Sequence, residues 1–113
     1  QLAYHALRGV LFALRDRLTV EEVFDLSAQL PLLIRGLFFE GYQVNGKPQK
    51  YHADEFLARV EHELRASGGG NAERAGRAVL TVLQNHVAGG EIEEVIGELP
   101  KDIRRLWPDL TPR

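Results

Sequence analysis

At 113 residues, with 44% hydrophobic and 27% charged side chains, the chain has the length and composition of one ordinary globular domain with a real core. Its formal net charge of −2 excludes the broad basic footprint that nucleic acid or an anionic membrane would require. The lack of cysteine excludes disulfides, thiolate metal sites and cysteine nucleophiles, and fits a reducing, cytoplasmic setting.

In chain order, Leu7, Val10, Leu11, Leu14 and Leu18 recur at three- and four-residue steps, which predicts a first helix with one apolar face. Thr19 then caps a second helix, and Glu22, three residues on, completes a capping box. Val23, Leu26 and Leu30 continue its inner face until Pro31, which has no N–H and opens a third helix carrying Ile34, Leu37 and Phe38 inward. Residues 39–51, with Gly41, Asn45-Gly46 and Pro48, read as a long irregular loop. Residues 54–66 read as a helix with Phe56, Leu57, Val60 and Leu64 on one side, and 67–70 as a flexible breaker. Asn71 caps a helix running to about His86, and Gly89-Gly90 breaks it. Ile92, Val95, Ile96 and Leu99 form the next face. Pro100 restarts the chain for Ile103, Leu106 and Trp107 before Pro108 stops it. The longest apolar runs, such as 30–34, are too short to span a bilayer.

Shifted by 69 positions, residues 6–38 fall on 75–107 without a gap and share 11 identities in 33 positions. The matches include Leu11/Leu80, Glu22/Glu91, the Leu-Pro pairs 30–31 and 99–100, and Ile34-Arg35/Ile103-Arg104. Shared amphipathic pattern alone would not place the Leu-Pro pair and the arginines in register, so an internal repeat is the better reading. The expected fold is an all-α bundle of about seven helices from two tandem pseudo-repeats. It forms one domain over 1–113, with repeat one at 1–39, a linker loop at 40–52 and repeat two at 53–107. The helix at 54–66 has no counterpart before the first copy. With Gln at position 1 and no Met anywhere, the chain reads as a trimmed piece lacking the first helix of its first repeat. An apolar strip beside helix 2–18 is then expected, where that helix would pack.

Residues 6–14 (ALRGVLFAL), 15–18, 28–31, 35–37, 38–42 and 46–48, with the tail 99–107, resemble in their order the bacterial family called domain of unknown function 2267. The resemblance covers nearly the whole chain. It implies a small two-repeat helical protein, with some members joined to, or encoded near, stress-associated and nucleotide-sensing modules. It lends no activity and no catalytic residues.

The residues themselves offer little chemistry. His5, His52, His62 and His86 never fall at the i,i+4 spacing that puts two metal ligands on one helix face. His52 and Asp54 could meet near a helix start, a pairing read as capping rather than metal binding. The acids Glu21-Glu22 and Glu91, Glu93 and Glu94 sit in first helical turns, where the positive end of the helix dipole accounts for them. Gly68-Gly69-Gly70 lacks the lysine and preceding strand of a phosphate loop. No catalytic, metal or cofactor site is therefore expected, and the chain is read as a non-enzyme.

The loop is the most suggestive segment. Phe39, Tyr42 and Tyr51 with Lys47 and Lys50 form a candidate partner-binding set, since aromatics dominate interface energetics. The plainer reading makes Phe38 and Phe39 core, the tyrosines rim and the lysines solvated. Arg35 and Arg104, like Arg8 and Arg77, hold matching positions. They are read chiefly as making salt bridges to neighbouring helices, with a two-fold anion site at Arg35 and Arg104 as the functional alternative. The leading function is a non-enzymatic helical interaction or accessory domain, stress-related, that binds another protein or its own copy. The alternative is a small-ligand or nucleotide sensor with a pocket between the repeats. Neither nucleic acid nor membrane is an expected partner.

Overall fold

A computed structural model describes residues 2–108. Among them lie seven α-helices and no strand: α1 (Leu2–Arg17), α2 (Val20–Ser27), α3 (Leu32–Phe39), α4 (Ala53–Leu64), α5 (Ala72–His86), α6 (Gly89–Gly97) and α7 (Lys101–Arg104). A short 3-10 turn, Arg65–Ser67, extends α4. The predicted elements are all present, and α5, α6 and α7 begin within a residue or so of α1, α2 and α3 advanced by the 69-residue offset.

The helix ends follow from their caps, with two corrections. Thr19 Oγ1 accepts the Glu22 amide at 3.2 Å, and Asn71 Oδ1 accepts the Arg74 amide at 2.9 Å, as the sequence predicts. The reciprocal half of the Thr19 box is absent. The Thr19 amide and hydroxyl donate instead to the Glu98 carboxylate at 2.9 and 3.0 Å, so the end of α6 holds the start of α2. Gly89-Gly90 does not break the chain either. The pair forms the first turn of α6, and the break falls just before it, where Val87 is extended.

α1 is the axis of the core. Val10, Leu11 and Leu14 are fully buried on it, and α4 lies along it with Phe56, Val60 and Leu64 equally buried. The close crossing requires Gly9: a Cβ there would stand 3.2 Å from Val60 Cα and 3.1 Å from Glu63 Cβ. α5 closes against both helices through Leu80 and Leu83, while α2 packs on α6 around Val23, Leu26, Ile92 and Val95. Burial of each such side chain contributes roughly 1.5–3 kcal/mol before entropy is charged against it. Leu11 and Leu80, one offset apart, are both fully buried; Ile103 is fully buried while Ile34 is only partly so.

Candidate functional site

Between α1 and α5 the bundle is open. Leu2, Ala3, Ala6 and Leu7 face Ala75, Ala78, Val79 and Val82 across a groove of about 420 Å³ with an almost wholly aliphatic lining. Leu2 and Val82 are 53% and 55% exposed, a state that large aliphatics seldom share across one concavity. A smaller hollow of about 200 Å³ continues past Leu7, Val82 and Leu83 toward Leu30, Pro31 and Ile34. Leu32 and Leu33, next in sequence, stand fully out on the surface. The apolar strip expected beside helix 2–18 is thus present and open, and α5 supplies its other wall.

The groove has a covered counterpart within the same molecule. Gly9 and Ala13 on α1 are buried, and α4 crosses directly over Gly9. Their partners at the 69-residue offset, Ala78 and Val82 on α5, are exposed. Charge follows the same division. Arg8 on α1 reaches Glu63 of α4 at 3.2 Å and Glu40 at 2.7 Å, contacts that hold its guanidinium charged and the Glu40 carboxyl below the usual range. Among the described residues the matching Arg77 meets only its own helix neighbour Glu73, at 3.0 Å, and the Arg105 carbonyl, at 2.9 Å. The expectation of equivalent salt bridges holds for Arg8 and not for Arg77.

The aromatic and basic loop set is drawn inward, not displayed. Phe39 ends α3 and packs tilted or edge-on against Phe24, Phe38 and Tyr42 at ring separations of 5.2, 5.8 and 6.1 Å. Tyr51 is buried, and its hydroxyl donates to the Ala13 carbonyl. Burial pushes the phenols of Tyr42 and Tyr51 above their ordinary range. Lys47 is nearly inaccessible: its side chain is 4% exposed, with Nζ 3.5 Å from Asp16. Only Lys50 of the five stands in solvent. The segment is fastened along α1 by Gln49 N to Asp16 O at 2.8 Å, Arg17 Nε to Tyr51 O at 2.8 Å, and Arg59 to the Gln49 side chain at 2.8 Å. What reads as a display loop is the wall of α1.

Among the described residues Arg35 and Arg104 make no salt bridge; their guanidiniums are turned to backbone carbonyls. Arg35 donates to the Ser27 and Leu30 carbonyls at 2.9 and 3.1 Å; Arg104 donates to the Leu99 and Gly97 carbonyls at 2.7 and 3.4 Å. Each guanidinium caps the carboxyl end of the preceding helix across its Leu-Pro turn, where a cation also suits the dipole. Their matched spacing reflects one capping device used twice. His52 meets Asp102 of α7 at 3.4 Å rather than Asp54. The Asp102 carboxylate accepts the Ala53 amide at 3.0 Å, which with the His52 contact holds its pKa below the ordinary aspartate range.

Glu22 and Glu91, in the first turns of α2 and α6, come together with Asp25 and Glu94 from the second turns. The sequence assigns each group to its own helix dipole and carries no local sign that the two helices face each other. Glu22, Asp25, Glu91 and Glu94 form one cluster, with a carboxylate oxygen from each within 4.8 Å of the others. The available signal was the offset, which carries 22 onto 91 and 25 onto 94.

Fold and surface of the described residues together define an all-α bundle with an open aliphatic groove between α1 and α5. The sequence pattern of the family described as an uncharacterized conserved protein (DUF2267) matches residues 1–106. The chain belongs to that family. Among curated proteins no relative matches it.

Proposed function

We propose that the chain is a non-enzymatic docking module whose α1–α5 groove receives an amphipathic helix. One observation carries the reading: α4 covers the outer face of α1, whereas the same positions of α5 stand bare. α4 therefore specifies its own kind of occupant. Such a helix presents apolar residues at the spacing of Phe56, Val60 and Leu64, with an acid placed as Glu63 is, to meet Arg77 as Glu63 meets Arg8. Helix-in-groove recognition reads anchors spaced three or four residues apart along one helix face. We place the module in the cytoplasm; among the described residues no helix is long and apolar enough to cross a membrane.

The test is titration of a labelled peptide with the sequence of residues 53–67 into the whole chain. Saturable binding that is lost in Val82→Glu, with helicity unchanged, supports the reading. Absence of binding overturns it. Concentration-dependent dimers abolished by the same substitution would make a second copy the occupant. The alternative of a nucleotide sensor draws little support from an aliphatic lining with no cationic cradle. A thermal-shift screen in which nucleotides raise the melting temperature would restore it.

A further inference from the structure

A separate feature lies on the other side of the bundle, where α2 packs on α6. Each helix carries two acids three residues apart, the spacing that puts both on one face. Facing each other, they gather four carboxylates into one small volume: Glu22 and Asp25 from α2, Glu91 and Glu94 from α6. No salt bridge among the described residues reaches any of the four.

Glu22 shows that this is more than a crowded acidic surface. The residue is only 6% exposed, and its Oε2 is sealed from solvent with no hydrogen-bond donor. Glu91 Oε2 is in the same condition beside it. A buried carboxylate without a partner is costly, and the first turns of two helices relieve it only weakly. Without a cation, the protein's recourse is to keep a proton. Burial, then the hydrogen bond and charge of Glu91, push the Glu22 carboxyl up to about 9, with Glu98 and Glu94 adding smaller repulsion. Protonated Glu22 gives one donor to Glu91, and the remaining oxygens are still unserved.

We propose that the α2–α6 interface binds a hard divalent cation, Ca²⁺ by preference, through Glu22, Asp25, Glu91 and Glu94. The donor set is all oxygen, without the imidazole or thiolate that softer metals favour. Four protein carboxylates at one place suit Ca²⁺, which takes roughly six to eight oxygens in flexible geometry, better than Mg²⁺, which keeps several waters and usually only one or two carboxylates. Asp25 and Glu94 are exposed, so ion and coordinating water have an entry side, while Glu22 and Glu91 form the floor. A bound ion would tie α2 to α6 beside the tie that Glu98 already makes to Thr19.

The experiment is a Ca²⁺ titration of the chelator-treated whole chain, followed by calorimetry and thermal melting at constant ionic strength. One ion per chain is expected. At about a hundredfold excess over Kd, the melting temperature should rise by roughly 10 °C. Glu22→Gln and Glu91→Gln should abolish the Ca²⁺-dependent rise. Their metal-free melting temperature should hold or climb, because Gln at 22 keeps a donor where Glu22 holds a proton and Glu91→Gln removes a carboxylate charge; a loss of ligand-set function is thereby separated from a loss of folding. No stoichiometric binding through the millimolar range overturns the proposal. So does a rise of equal size in Glu22→Gln, which would mark general screening of charge.

Discussion

α1 and α5 hold the same place in the 69-residue offset, and their inner faces are treated alike: Leu11 and Leu80 are both fully buried. Their outer faces part. α1 has α4 laid across Gly9, the 40–52 segment bolted along its last turns, and Arg8 held by two carboxylates. α5 shows Ala78 and Val82 to solvent. One pattern of side chains thus gives a core helix in one setting and a binding wall in the other. Burial belongs to the neighbours a helix acquires as much as to its own periodicity.

The comparison can be broken most forcefully at α4. Phe56→Ala removes the largest buried side chain of that helix and should cost about 3–5 kcal/mol, read as a lower urea midpoint. Survival of full stability would mean that α4 does not hold α1. Next is a matched pair. Gly9→Leu must push α4 away and should cost about 1–3 kcal/mol or more, whereas Ala78→Leu, at the same offset on the bare side, should stay within about 0.5 kcal/mol. Equal losses would show that the two faces are not differently covered.

A third test uses pH and the α2–α6 pair, where the two halves are most alike. The Glu22 carboxyl is raised to about 9 in the folded chain, so the native state keeps a proton that the unfolded state releases. Its contribution is full below the ordinary glutamate pKa and lost as pH rises through about 9. With chelator present, the melting temperature should fall from neutral to alkaline pH, and Glu22→Gln should flatten that slope. Glu91→Gln should only reduce it, since burial is the larger cause. The smallest effect is on stability at the groove: Val82→Glu should lie within about 0.5 kcal/mol, because the side chain is already half in water.

Helices were legible because their signal is local. Spacing of Leu7, Val10, Leu11 and Leu14 fixes a face, Thr19 and Asn71 fix starts, and Pro31 and Pro100 fix turns. The open strip was legible in part, because the offset gives α4 no counterpart among these residues. What faces what was not. Arg35 looks like any surface arginine until the carbonyls of Ser27 and Leu30 are seen within its reach. Tyr51 and Lys47 look like display residues because turn-rich composition says nothing of Asp16 and Ala13 waiting on α1. Glu22 and Glu91 each have a sufficient local explanation, which hid their meeting.

The pinning of the 40–52 segment also has a chemical consequence. The chain has three lysines, at 47, 50 and 101, and the last two are exposed while the first is sealed against Asp16. An amine-reactive mass tag should therefore mark Lys50 and Lys101 at once and reach Lys47 only when the wall lifts from α1. The pace at which that third amine becomes reactive would act as a clock for opening of the segment, readable in a mixture and without any engineered probe.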